Sequence, residues 1–189
     1  AGVPKILLFS RSLRPDSKNM LHIRDDQFMK FAYKKLLTDK RVTLCLNSHA
    51  GAQSFSNWLN IKVDKIKVLH NCFNFDLLSD FQKDENDEIV NKKIKELNIN
   101  KNCKLIGGIF SMRSQKRPLL WIEVAKAIIK INSNIHFVLI GDGNLFDAVK
   151  EKISNQFSNN IHLIGETPLI KNWLKNIDFL MLTSSIEGL

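Results

Sequence analysis

The stretch from Leu105 to Gly143 constrains this chain more than any other. It reads Leu-Ile-Gly-Gly-Ile-Phe-Ser-Met-Arg-Ser-Gln-Lys-Arg-Pro, then a helical pattern, then Ile135-His-Phe-Val-Leu-Ile-Gly-Asp-Gly143. An apolar run stops at a short polar loop, a helix opens on Pro118, and a second apolar run ends at a Gly-Asp-Gly turn. This is the pattern of a βαβ unit. Such units put their loops at the carboxyl ends of parallel strands, beside helix amino termini that favour anions. The loop Ser111 to Arg117 carries Arg113, Lys116 and Arg117, so a phosphate-bearing ligand is expected there.

The same rhythm continues to the end of the chain. Strands are expected over 104–110, 135–140, 161–164 and 178–183, and helices over 118–131, 144–157 and 168–176. This alternation implies a parallel, doubly wound sheet. Upstream, strands are expected from Lys5 to Ser10 and from Val42 to Leu46. A helix capped by Asp25 or Asp26 lies between them, with Phe28, Phe31, Ala32 and Leu36 on its apolar face. Ser48 opens a second helix through Trp58 and Leu59, and Lys67 to His70 forms a further strand. Between the two regions the pattern weakens into a charge-rich segment, Gln82-Lys-Asp-Glu-Asn-Asp-Glu88. The expected organisation is therefore one α/β lobe over 1–72, an interdomain linker over 73–100 and a second lobe over 101–189.

Composition narrows the function classes. Lys and Arg number 28 against 19 Asp and Glu, a formal net charge of +9, which favours an anionic partner. Much of the excess is lysine spread along helical patterns (Lys30, Lys34, Lys35, Lys92, Lys93, Lys95, Lys126, Lys130), for which a solvated surface is the simpler reading. No basic run is interleaved with aromatics, so nucleic acid is not expected as a partner. The three cysteines lack paired spacing, and the histidines His22, His49, His70, His136 and His162 lack metal-ligand spacing, so neither a disulfide framework nor a metal site is expected. No apolar run approaches the roughly 20 residues of a spanning helix. A soluble, cytoplasmic protein is the expectation, with the inner face of a membrane as an alternative place of work.

Several motifs together resemble a known family. They are Gly107-Gly-Ile-Phe-Ser-Met-Arg-Ser-Gln-Lys-Arg-Pro118, Val138-Leu-Ile-Gly-Asp-Gly143, Ile161-His-Leu-Ile-Gly165 and Asp178-Phe-Leu-Met-Leu-Thr-Ser-Ser-Ile-Glu-Gly188. In this order and spacing they resemble successive motifs of the family 4 glycosyltransferases, retaining enzymes of the GT-B architecture. Ala1-Gly-Val-Pro4, Asn47-Ser48 and His70-Asn71 resemble steps in that family's first domain. The resemblance implies two Rossmann-like lobes, both incomplete: the second half of an acceptor-side domain and most of a nucleotide-sugar-binding domain. It implies a hexosyltransferase-type activity that moves sugar from a nucleoside diphosphate sugar to a glycan or lipid-linked acceptor. Polysaccharide or lipopolysaccharide biosynthesis and peripheral membrane association follow from it. It implies no cofactor and no metal, the nucleotide sugar being the substrate.

The resemblance also assigns residues. Lys116 matches a cation that neutralises the leaving diphosphate, and Glu187 matches a carboxylate that hydrogen-bonds the donor sugar, with Gly188 beside it. Where family members generally carry an Arg five residues before that Lys, this chain has Ser111, which cannot neutralise charge. Arg113 shares its side if the strand continues past Ser111 and is then the substitute cation. Gly107 and Gly108 either let the backbone approach a phosphate or mark a bulge or tight packing. Gly165 is expected under the nucleotide base, and Asp142 is expected to be structural. A non-catalytic nucleotide-binding or interaction module on the same fold is the competing reading, since fold alone does not fix function.

Overall fold

The computed structural model describes residues 2–11, 14, 26–72, 85–100, 102–153, 155–185 and 187. The expected Asp25 cap and Gly188 lie outside them. The chain divides into two compact units, one formed by Ala1–Asn74 together with Ile186–Leu189 and one by Phe75–Ser185.

The first unit holds a parallel sheet in the order β1-β2-β3, with β1 at Ile6–Ser10, β2 at Val42–Leu46 and β3 at Lys67–Val68. Helix α1 (Asp26–Leu36) joins β1 to β2, and α2 (His49–Leu59) follows β2. Ser48 caps α2, its hydroxyl accepting from the Gly51 amide at 3.0 Å. Asn60 closes that helix in the left-handed region that asparagine tolerates. Leu44, Leu46, Phe55 and Leu59 form a core from which water is excluded.

The face of α1 differs from expectation. Phe28 and Phe31 are 65% and 66% exposed and Leu36 is 49% exposed. Met29, Tyr33 and Leu37 pack against the core instead. Both sets have helical spacing, and the second wins because Tyr33 meets Phe55 and Trp58 edge-on, with ring centroids 5.6 and 5.5 Å apart.

The second unit holds a four-stranded parallel sheet in the order β6-β5-β4-β7. Strand β4 spans Lys104–Ile109, β5 Ile135–Ile140, β6 Ile161–Gly165 and β7 Phe179–Leu180. The α/β class and the parallel sheet are as expected from the alternation of elements. Buried β5 sends Phe137 and Leu139 to one face and Val138 and Ile140 to the other, as period-2 geometry requires. The first face is covered by α4 (Pro118–Ile131), through Trp121, Ile122 and Ala125, and by α5 (Phe146–Lys152), through Val149. The second face meets Val90 of α3 (Glu85–Glu96) and Trp173 of α6 (Ile170–Leu174).

Helix α3 lies in the segment expected to be a linker. It is part of the second unit's packing. Val90 is 1% exposed, and Asp87 takes hydrogen bonds from Lys175 Nζ (2.6 and 2.9 Å) and Asn172 Nδ2 (2.7 Å) of the α6 region. The second compact unit therefore begins well before residue 101. The last strand is shorter than expected, because pairing with β4 stops once the Met181 amide has reached the Gly107 carbonyl.

Candidate functional site

Because the strands of the second sheet are parallel, their carboxyl ends lie at one edge. There the loop Phe110–Arg117 after β4, the Gly141–Leu145 turn after β5, Gly165 at the end of β6 and Met181–Ser185 after β7 come together. The first two are bound by backbone: the Met112 amide donates to the Asp142 carbonyl at 2.8 Å, and the Leu145 amide to the Met112 carbonyl at 3.0 Å. Met112 is fully buried and anchors the loop, leaving Ser111 and Arg113 exposed on either side of it. Gly141 has φ +131°, and a Cβ there would lie 2.2 Å from the Phe110 carbonyl oxygen, so only glycine lets the two loops approach this closely. Asp142 is exposed and accepts from the Gly143 amide, a turn-stabilising contact.

Each expected site residue can now be placed. Lys116 is half-buried at the end of a 3₁₀ turn, Ser114–Lys116, two residues ahead of the start of α4 at Pro118. Glu187 is half-buried and follows Ser185 by two residues. Arg113 is exposed, and the strand does not continue to it: its amide folds back onto the Ser111 carbonyl at 2.8 Å, a turn about Met112. The condition under which Arg113 would share the side of Ser111 is therefore not met. Gly165, at φ +82° with open space where a Cβ would stand, accepts from the Gly141 amide at 2.9 Å. It ends β6 just after a register shift against β5, as at a bulge.

Gly107 and Gly108, the other expected donor-binding residues, lie inside the sheet. Both are buried inside β4, paired with Val138 and Leu139 of β5. A Cβ on Gly107 would lie 2.5 Å from Ile177, and one on Gly108 2.8 Å from both Trp121 and Leu139. Their missing side chains make room for core residues on the two faces of the sheet, and no phosphate approach is needed to explain them.

Three residues hold the loop in ways that the sequence reading did not assign. Arg117 adopts φ +48°, ψ +55° immediately before Pro118, and its guanidinium donates to the carbonyls of Thr183 and Ser184. Left-handed backbone in a residue without glycine's freedom costs on the order of 1–3 kcal/mol. Thr183 Oγ1 lies 3.1 Å from the carbonyl oxygens of both Lys116 and Arg117, and Trp121 Nε1 donates to the Met181 carbonyl at 3.0 Å. Gly or Asn is the usual letter for a left-handed position, so Arg117 gave no signal.

At the opposite edge of the sheet, His136 and His162 are buried and share a hydrogen bond, Nδ1 to Nε2, of 3.2 Å. Burial holds the His136 imidazole below its ordinary range, and burial plus the neighbouring His136 brings His162 down to about 4. Among the described residues no group of three or more His, Cys, Asp or Glu is placed to hold a metal ion. Arg11 is exposed at the end of β1, and the Arg14 amide donates to Ser54 Oγ at 3.2 Å.

A family model of the glycosyl transferases group 1 matches residues 89–189, more than half of the chain. The chain belongs to that family. As a group 1 glycosyltransferase chain, it is 27% identical over 193 residues to the Vi polysaccharide biosynthesis protein VipC/TviE of Salmonella typhi, covering 100% of this chain and 32% of the relative. It is 28% identical over 131 residues to the poly(ribitol-phosphate) alpha-N-acetylglucosaminyltransferase of Staphylococcus aureus (strain COL), covering 67% of this chain and 26% of the relative. The crystal structure of Anabaena Alr3699/HepE in complex with UDP and glucose superposes with a TM-score of 0.69 at 18% identity, over 95% of this chain and 46% of that one. This last likeness shows the fold. The group 1 chain thus spans a third or less of its curated relatives and under half of that structure.

Proposed function

We propose that this chain supplies the nucleotide-sugar side of a retaining glycosyltransferase of family 4 type. The enzyme would transfer a hexose-type sugar from a nucleoside diphosphate sugar to a glycan or lipid-linked acceptor, in the biosynthesis of a polysaccharide or related surface glycan. The observation that carries the proposal is the pinning of the Lys116 loop, at the carboxyl edge of the sheet, to the segment after β7 through Thr183 Oγ1 on the Lys116 carbonyl. Membership of the glycosyl transferases group 1 supports it, as do relatives named for polysaccharide biosynthesis and N-acetylglucosaminyl transfer.

In this reading the donor diphosphate lies at the carboxyl edge of β4, with Lys116 neutralising the charge that develops as the glycosidic oxygen departs. Glu187 accepts hydrogen bonds from the sugar hydroxyls, and Gly188 continues that segment. Gly165 leaves flat, open space beneath the base. Arg113, exposed at the loop tip, adds long-range attraction for the donor but does not replace the missing cation at Ser111. Neutralisation falls to protein cations, so activity should survive chelation of divalent ions.

Where the acceptor is lipid-linked, α1 gives a means of peripheral contact at the cytoplasmic face. Its exposed Phe28 and Phe31 sit among Lys30, Lys34 and Lys35, a combination that suits an anionic lipid surface. Among the described residues no helix is long and apolar enough to cross a membrane.

The deciding experiment is titration of the chain with UDP and with UDP-sugars, together with assay of UDP release, for the native sequence and Lys116→Ala. A cation held beside a partly desolvated diphosphate is worth a few kcal/mol, so the variant should lose on the order of a hundredfold in turnover or affinity. A Lys116→Ala chain equal to the native one overturns the catalytic assignment. Nucleotide binding without turnover for any donor, which Ser111 makes the natural competitor, would favour a non-catalytic binding module.

A further inference from the structure

Three residues other than glycine have positive φ among those described: Asn60, Asn98 and Arg117. The two asparagines follow α2 and α3 at their carboxyl ends, where that side chain tolerates the left-handed region. Arg117 has no such excuse. It stands at the start of a helix, before a proline that narrows the backbone further, and it caps nothing with its side chain. Something outside the local sequence must hold it there, and that is its pair of bonds to the Thr183 and Ser184 carbonyls.

These bonds belong to a larger clasp. The Thr183 hydroxyl returns to the Lys116 and Arg117 carbonyls, the Ser185 amide donates to the Gln115 carbonyl at 2.9 Å, and Ser185 Oγ does so at 3.1 Å. Trp121 Nε1 holds Met181 from the helix. Sheet pairing between β4 and β7 has already ended at Leu180, so beyond that point mostly side chains hold the two strand ends together.

We infer that Arg117 is a positioning residue, whose guanidinium fixes the Lys116 loop against the Thr183–Ser184 segment that follows β7. This rests on the reading of Lys116 as a donor-contacting group. An ammonium serves a bound diphosphate only where its loop keeps it in a set place. A misplacement of about 1 Å can cost a hundredfold in rate. Planarity and forked donors let arginine span two successive carbonyls, which a lysine ammonium does not reproduce.

The test compares Arg117→Gly and Arg117→Lys with the native chain. Glycine adopts φ +48° freely, so that variant removes the guanidinium while relaxing the backbone. The expected result for Arg117→Gly is a melting temperature within a few degrees of native, amide exchange at Ser185 at least about tenfold faster, and UDP affinity about tenfold weaker. Arg117→Lys should restore neither exchange protection nor affinity. Native exchange at Ser185 and native UDP affinity in both variants would overturn the inference. Weakening of UDP by Lys116→Ala but not by Arg117→Gly sinks the positioning role and leaves the site reading intact. A native chain that binds neither UDP nor GDP removes the site reading and this inference together.

Discussion

The Nδ1 of His136 faces the Nε2 of His162 at 3.2 Å, joining β5 to β6 by a bond between two imidazoles. The rings are nearly parallel, 7° apart with centroids 5.5 Å apart, and the short nitrogen separation makes the contact a hydrogen bond between ring edges. One ring donates and the other accepts, and burial disfavours the charged form of both.

Stability should therefore fall with acid. His162 titrates at about 4 in the folded protein against an ordinary value of 6.5. Between these values the unfolded chain binds the extra proton, so unfolding becomes easier as pH drops through that window and levels off below about 4. Asp39 and Asp178, both held low by hydrogen bonds, lose their stabilising contribution below their ordinary 3.8, outside this window. Glu96 lines the same cavity of about 470 Å³ as the two imidazoles and is the acidic group to control for. Thermal melts from pH 7 to 4 should show a decline that His162→Gln largely removes; a flat native profile would contradict it.

Gly108→Ala should destabilise the second unit by about 1–3 kcal/mol, since the added methyl meets Trp121 and Leu139 at 2.8 Å in a filled core. Gly165→Ala enters open space and should cost only the backbone strain of φ +82°, about 1 kcal/mol. Urea unfolding of the two variants would rank them. Equal costs would mean that the core yields around β4.

On α1, Tyr33→Ala should cost about 2–4 kcal/mol, because the ring packs on both Phe55 and Trp58. Phe31→Ser, at a position 66% exposed, should change stability by about 0.5 kcal/mol or less. Thermal denaturation separates these outcomes, and a larger loss from Phe31→Ser would reverse the assignment of the buried face.

Ser111→Arg should strengthen UDP binding by about tenfold or more, since it restores a cation at an exposed position beside the β4 carboxyl end. Arg113→Ala should change it by less than about threefold, consistent with an exposed loop charge. Titration with UDP at fixed ionic strength reads both. A greater loss in Arg113→Ala than in Lys116→Ala would exchange their roles.

What could be read from the sequence follows from how local each signal is. Helix α4 and strand β5 have the expected bounds because Pro118 fixes the helix start and β5 is an unbroken apolar run. The face of α1 was ambiguous because Phe28/Phe31 and Met29/Tyr33/Leu37 both have helical spacing, and only α2 decides between them. Gly107 and Gly108 carry the same letters whether a ligand or a side chain approaches, and the side chain packed on Gly107 is Ile177, far along the chain. Helix α3 has a single buried residue, Val90, so its sequence looks like a solvated charged segment. Arg117 depends on carbonyls 66 and 67 residues away.

The link between Asp87 and Lys175 joins positions 88 residues apart. During synthesis the helix bearing Asp87 emerges long before Trp173 and Lys175, the partners against which it packs. At ribosomal speeds of about 5–20 residues per second, that interval lasts on the order of several seconds. One side of the nascent sheet, including Leu105 and Val138, thus lacks part of its cover until nearly the whole unit has been made. Late closure of this kind leaves apolar strand surface uncovered during synthesis, the condition under which parallel sheets in general fold slowly and are exposed to aggregation.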